Sequence, residues 1–236
     1  MRRILAIETS AETCSVALDV GGEVVERFEH APMKHAELIL PSISSVLAEA
    51  GLAATDLDAI AFGRGPGSFT SLRIGIGVVQ GLAWGADRPV VPVSSLAAVA
   101  QVAAGRLDVP PPGEVVSGGD IAVAMDARMA EVFHAVFRVG QDRLVTPVGP
   151  ERVGPPKDVV LGESSIAAGN GFDRYEDLAN RARDARACMA DAWPRASAVL
   201  KLASAWLDDN EPLTAAMAQP VYLRNNVADK PGEKRG

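Results

Sequence analysis

The densest run of chemically suggestive residues is Gly63-Arg64-Gly65-Pro66-Gly67-Ser68-Phe69-Thr70, between an apolar segment and a helical pattern. Glycines allow sharp turns and a close approach of backbone to a ligand or to other backbone. The run feeds a helix N-terminus, where unpaired N–H groups attract anions, so a phosphate cradle is one reading. It is not a Walker A loop, because no Gly-Lys-Ser/Thr follows. It is not a dinucleotide fingerprint either, because Pro66 and Phe69 interrupt the G-x-G-x-x-G spacing. A tight strand-to-helix turn that binds nothing explains the same residues. A second candidate is Glu8-Thr9-Ser10, a carboxylate and two hydroxyls at the end of the first apolar segment, with Asp126 at the equivalent place in a later segment. Two such turns facing each other across a cleft would suit a metal-bound nucleotide, which makes Glu8, Thr9, Ser10 and Asp126 the weak cofactor-binding candidates. Against this, Asp and Ser in turns commonly bond their own backbone, and Ala11 stands where a phosphate-binding hairpin would want glycine.

Other catalytic chemistry finds little support. His30 and His35 are five positions apart, off the i, i+4 spacing of a helical metal pair, and His134 is remote in sequence. No cysteine or carboxylate cluster completes a metal site. No G-x-S-x-G motif marks a hydrolase nucleophile. Neither a catalytic residue, nor a metal, nor an intrinsic cofactor is expected. Cys14 and Cys188 are too few for a disulfide framework; one bridge is possible, but reduced thiols of a cytoplasmic chain are the better reading.

The elements that must position these residues follow from the apolar spacing. Residues 3–9, 14–20 and 23–30 read as three strands, with Gly21-Gly22 as a hairpin turn. Residues 34–50 read as a helix, because Ile39, Ile43, Val46, Leu47 and Ala50 fall on one face, and Gly51 is its C-cap. A strand at 58–63, a helix from the glycine-rich loop to about residue 84, a strand at 89–93 and a helix at 94–104 capped by Ser94 or Ser95 follow. The second of these helices carries Gly77, Gly81 and Gly85 at four-residue spacing, a face without side chains. Each interior glycine costs about 1 kcal/mol of helix propensity relative to alanine. Close approach of another helix, from this chain or from a second one, is the usual offset.

The stretch from residue 105 to 119, with Pro110-Pro111-Pro112, is the expected boundary between domains at 1–105 and 106–236. Beyond it the opening pattern recurs, with strands at 121–126, 131–139 and 143–148, so that Glu8 and Asp126 lie 118 positions apart, half of 236. A duplicated β-β-β-α unit is the natural inference. Further on, 159–161 reads as a strand, 169–171 as a turn, 196–207 as a helix with Val199, Leu202, Ala203 and Trp206 on one face, 220–223 as a terminal strand and 225–236 as a frayed tail.

Composition bounds the function. Apolar residues make up 48% and charged residues 22%, which supports a packed core. The net charge of −7 excludes a surface that attracts phosphate backbones everywhere, though not a local basic patch such as the +2 segment at 224–236. The longest charge-free stretch, near 89–105, contains prolines and a glutamine and falls short of a membrane span, and the N-terminal apolar run is too short for a signal peptide.

The segments ILAIETS…CSVAL, KHAELILPSI, AFGRGPGSFTSLRIGIGVVQGLAWG, VSSLAAVAQ, AMDARMAEVF and PVYLRNNVA together resemble the TsaB (YeaZ) family, bacterial proteins of tRNA threonylcarbamoyladenosine biosynthesis, from Arg3 to about Ala228. The resemblance implies an α/β chain with a duplicated actin-like/Hsp70-type ATPase fold, two RNase H-like subdomains of mixed sheets flanked by helices. It implies a non-catalytic subunit that supports its paralogue TsaD, with the P-loop ATPase TsaE, in forming N6-threonylcarbamoyladenosine at position 37 of tRNAs reading codons that begin with A. It further implies a homodimer when alone, tRNA met only through the complex, and no membrane contact. ATP or ADP is left as a candidate ligand of the complex interface.

Carried onto this chain, the partner contact falls on the first two helices and the loop between them: His35, Leu38, Ile39, Arg64, Gly65, Pro66, Gly67, Ser68, Phe69, Thr70, Arg73, Gly77 and Gly81. Three positions depart from the family pattern. Glu8 stands where Asp is common, Ser71 where Gly is common, and the end reads NNVADKPGEKRG where an aromatic and more lysines are usual. The alternative from another class is a free-standing phosphotransferase or peptidase of the same fold.

Overall fold

The computed structural model describes residues 2–107, 119–162 and 164–224. Most of the expected linker and the whole of the 225–236 tail lie outside the described residues.

The first sheet is built from β1 (Arg3–Glu8), β2 (Thr13–Val20), β3 (Glu23–His30), β4 (Ala59–Gly63) and β5 (Val90–Val93). Their order is β3-β2-β1-β4-β5, with β1 antiparallel to β2 and parallel to β4. The second sheet is built from β6 (Asp120–Asp126), β7 (Val132–Val139), β8 (Val145–Pro147), β9 (Arg152–Gly154), β10 (Ile166–Ala168) and β11 (Ala187–Met189). Its order is β8-β7-β6-β10-β11, with β9 also on β7. Here β6 is antiparallel to β7 and parallel to β10, the relations that β1 has to β2 and β4. The duplication read from the sequence is therefore present as two mixed sheets of one strand order, and Glu8 and Asp126 end equivalent strands.

The helices are α1 (His35–Ala50), α2 (Phe69–Ala86), α3 (Ser95–Arg106), α4 (Gly171–Arg174), α5 (Glu176–Arg181) and α6 (Ala196–Asp209). Helix α1 ends at Gly51, whose φ of 65° suits glycine and whose N–H reaches the Ala48 and Leu47 carbonyls. Helix α2 starts at Ser68, whose hydroxyl accepts from Ser71 N–H, and α3 at Ser94, which accepts from Ala97 N–H.

Five layers result. Helices α1 and α2 pack Ile39, Ile43, Ile76 and Val79 on Leu5, Ile7, Leu18 and Phe62 of the first sheet. The opposite face of that sheet, Ile4, Ala6, Ala17 and Ala61, receives Ala196, Val199, Leu200 and Ala203 of α6. Small residues on that face let the helix approach closely. The second sheet packs Ile121, Val123 and Phe137 against Leu96, Val99 and Ala103 of α3. Its far face packs Ala122, Ala124 and Ala167 against Phe172 and Leu178 of α4 and α5. The middle layer is thus an exchange. Helix α6 comes from the second half of the chain and covers the first sheet, while α3 comes from the first half and covers the second.

Two strand expectations are corrected. Residues 159–161 are not a strand; the paired segment is β10, a few residues later, where Ile166 finds Ile121 and Ala187 as neighbours. Residues 220–223 form no strand either; their backbone bond to the fold is Val221 N–H to the Arg64 carbonyl at 2.8 Å, beside side-chain contacts of Tyr222 with Arg73 and Phe69. The third strand expected at 143–148 is present as β8, and β9, which the sequence reading did not place, also lies on β7. Among the described residues no helix is long and apolar enough to cross a membrane.

Candidate functional site

The turn after β1 is closed on itself. Glu8 is fully buried and holds Ser10 N–H on Oε1 at 2.6 Å and the Ser95 hydroxyl on Oε2 at 2.8 Å. Desolvation raises its pKa, and the hydrogen bonds from Ser10 and Ser95 pull the other way. Ser95 Oγ also accepts from Gly65 N–H, so one carboxylate ties the β1 turn to the glycine-rich loop and to the start of α3. The loop presses on the turn from the other side. Ser68 N–H donates to the Ser10 carbonyl at 2.7 Å, and the Thr9 hydroxyl donates to the Ser71 carbonyl at 3.0 Å. A Cβ at Gly63 would lie 1.9 Å from Glu8 Oε2 and one at Gly67 would lie 2.3 Å from the Ser10 carbonyl oxygen. Gly67 serves backbone-to-backbone contact and Gly63 makes room for the Glu8 carboxylate, in line with the plainer of the two readings of the loop. Glu8, Thr9 and Ser10 are spent on internal bonds, and this turn as built does not fit a phosphate.

Asp126 ends β6 opposite this turn. Its Oδ1 accepts from Arg128 N–H at 3.0 Å and from the Tyr175 hydroxyl at 2.6 Å, and its Oδ2 faces Arg174 at 3.2 Å. Burial, then the bond to Asp126, push the Tyr175 phenol up to about 12. Asn170 Oδ1 accepts Asp126 N–H at 2.9 Å. The residues after Asp126 are unusual: Arg128, Met129 and Ala130 have φ of 62°, 55° and 56°. Left-handed backbone costs about 1–2 kcal/mol per non-glycine residue, so three in succession are a local strain. Between the two turns runs a cleft of about 650 Å³, lined mainly by apolar side chains such as Met33, Leu96, Phe133 and Trp193. Sequence reading found Asp126 but missed Glu12, Arg128, Arg174 and Tyr175. Arg128 lies two residues from Asp126, while Arg174 and Tyr175 come from a distant segment with no local signal.

The expected partner surface divides. Ser68, Phe69, Thr70, Arg73, Gly77 and Gly81 are exposed; Leu38, Arg64 and Gly67 are half-buried. His35 and Ile39 are corrected: at 2% and 1% exposure they belong to the interior, His35 through its Nε2 contacts with the Ala11 and Thr13 carbonyls and Ile39 in the core under α1. Gly65 and Pro66 are likewise buried in the loop. Arg64 pairs with Glu151 through two 3.2 Å bonds. Arg73 lies 3.8 Å over the Phe69 ring and donates to the Tyr222 hydroxyl at 3.0 Å, which docks the C-terminal segment on the first turns of α2. Beyond this stack the outer face of α2 is bare among the described residues. A Cβ at Gly77, Gly81 or Gly85 would meet nothing within 4 Å, and Trp84 beside them is 79% exposed. Among the described residues, then, the packing supplies no offset for the three glycines. Among the described residues no group of three or more His, Cys, Asp or Glu could hold a metal ion.

Two mixed sheets of one strand order, layered with helices, define a duplicated α/β protein. The sequence model of the family described as "TsaD: tRNA N6-adenosine threonylcarbamoyltransferase" matches residues 28–231. Within that class the similarity is specific. The tRNA threonylcarbamoyladenosine biosynthesis protein TsaB of Escherichia coli K12 is 37% identical over 98% of this chain and 100% of its own length. The Haemophilus influenzae protein of the same name is 35% identical over 96% and 95%. Among solved structures, YeaZ from Pseudomonas aeruginosa superposes with a TM-score of 0.82 at 38% identity, covering 94% of this chain and all of that one. The chain belongs to the TsaB (YeaZ) family of tRNA threonylcarbamoyladenosine biosynthesis proteins.

Proposed function

We propose that this protein is a non-catalytic partner subunit in threonylcarbamoyladenosine biosynthesis, which pairs with TsaD through the outer face of α1 and α2, with TsaE joining the complex. The observation that carries the reading is the glycine stripe on α2. Three glycines each cost about 1 kcal/mol of helix stability, nothing among the described residues packs on them, and Trp84 stands exposed on the same face. A second helix laid along the stripe would recover that cost through close contact, and Leu40, 57% exposed, is a further exposed apolar residue on α1. The self-bonded turn at Glu8 supports the non-catalytic part of the reading, because the groups that would handle phosphate hold the fold together.

The test is size-exclusion chromatography of the purified protein with TsaD and TsaE, with and without ATP, alongside Gly81→Leu. The wild type is expected to co-elute with TsaD. A leucine at Gly81 fits the isolated chain, since its Cβ meets no neighbour, and is expected to abolish co-elution by steric clash with the partner. Unchanged co-elution of Gly81→Leu would contradict this face.

A further inference from the structure

The two turns read from the sequence as halves of a nucleotide site do face each other across the cleft, but they meet through this chain's own charges. Glu12, in the turn between β1 and β2, lies 2.6 Å from the Arg128 guanidinium and 3.6 Å from that of Arg174. Asp126 lies 3.5 Å and 3.2 Å from the same two groups. Two acids and two bases therefore alternate in a ring, each acid touching both bases. His30, 3.9 Å from Glu12, and Tyr175, on Asp126, are the other titratable groups against it.

A phosphate needs an excess of positive charge and a divalent cation an excess of negative charge. This ring has neither: its two acids and two bases cancel. The left-handed run Arg128–Ala130 gives independent support. Its backbone is pinned by Ala127 N–H to the Glu131 carbonyl, Glu131 N–H to the Arg128 carbonyl and Arg224 to the Ala127 carbonyl. That pinned turn aims Arg128 out of the second half and onto Glu12 of the first.

We infer that Glu12, Arg128, Asp126 and Arg174 form a built-in clasp that closes the mouth of the cleft between the two turns, beside the buried α3/α6 layer that joins the halves, in the place where a bound ligand would otherwise bridge the turns. Closure is then a property of the free chain and depends on ionic strength rather than on nucleotide. Arg128 and Arg174 are substantially solvent-exposed, so salt reaches the ring.

The clasp is tested by pulsed electron–electron distance measurement between spin labels at Met33→Cys and Met129→Cys in a Cys188→Ser background. Both methionines are exposed and line the cleft from opposite halves. The expected result is one narrow distance distribution, unchanged by MgATP, which lengthens or broadens in the Glu12→Gln, Arg174→Gln variant. If that variant does not fold, salt decides: the unsubstituted clasp is expected to open toward about 1 M NaCl, where the screening length falls to about 3 Å. A distribution insensitive to both the variant and salt, or one that is broad in the free chain and narrows only with MgATP, would overturn the clasp.

Discussion

A Cβ at Gly67 would come within 2.3 Å of the Ser10 carbonyl oxygen and one at Gly75 within 2.2 Å of Thr9 Oγ1, whereas one at Gly77, Gly81 or Gly85 would touch nothing. Substitution should therefore split the glycines into two classes. Gly67→Ala must displace backbone and is expected to destabilise the chain by about 1–3 kcal/mol. Gly77→Ala and Gly81→Ala relieve a helix penalty without a clash and are expected to stabilise the isolated chain by about 0.5–1 kcal/mol each. Urea unfolding of the three variants reads both signs. The sequence shows where the glycines are but not which kind each is. Spacing placed Gly77, Gly81 and Gly85 on one face, but whether that face is covered depends on segments far away in the chain. Glu8 is similar: its position at a strand end was legible, while its bond to Ser95, 87 residues later, was not.

At the scale of elements, α6 shows how the second half is fastened to the first. Its N-terminus takes no cap from its own flanking residue; strands β2 and β3 supply one. Ser15 Oγ accepts from Ala196 N–H, Glu26 accepts from Ser197 N–H, and Arg195 donates to Glu26 at 2.8 Å. Burial alone would raise the Glu26 pKa, but the bonds from Arg195, Ser197 and Ser15 outweigh it and hold it below the ordinary 4.5. A carboxyl depressed in the folded state stabilises above its unfolded value, and that contribution is lost as pH falls through the folded value. Wild type should therefore exceed Glu26→Gln by on the order of 1–3 kcal/mol near neutral pH, with the gap closing as the pH is lowered beneath 4.5. Chemical denaturation at a series of pH values measures it; a gap constant with pH would contradict the ionic cap. The amphipathic face of α6 was readable from Val199, Leu202, Ala203 and Trp206, but the sheet it covers was not, because periodicity carries no address. The short strands failed for a related reason: 159–161 and 220–223 are apolar enough for strands but have no partner in register, and a strand exists only through pairing.

For the whole molecule, the repeated sheet order was legible because strand, acidic turn and strand recur at half the chain length. The exchange of α3 and α6 between the sheets was not, since α3 ends at Arg106 and α6 begins only at Ala196. The exchange makes the two halves a single five-layered body, and the outer face of α2 that bears the glycines and Trp84 is exposed among the described residues. The central claim is that this face serves TsaD. Its most direct test is reconstituted threonylcarbamoyl transfer to tRNA by TsaD and TsaE, measured without this protein, with the wild type and with Gly81→Leu. Transfer is predicted to depend on the wild type and to fall to the level without it when Gly81→Leu is supplied folded at equal concentration. Equal transfer in all three reactions would contradict the account.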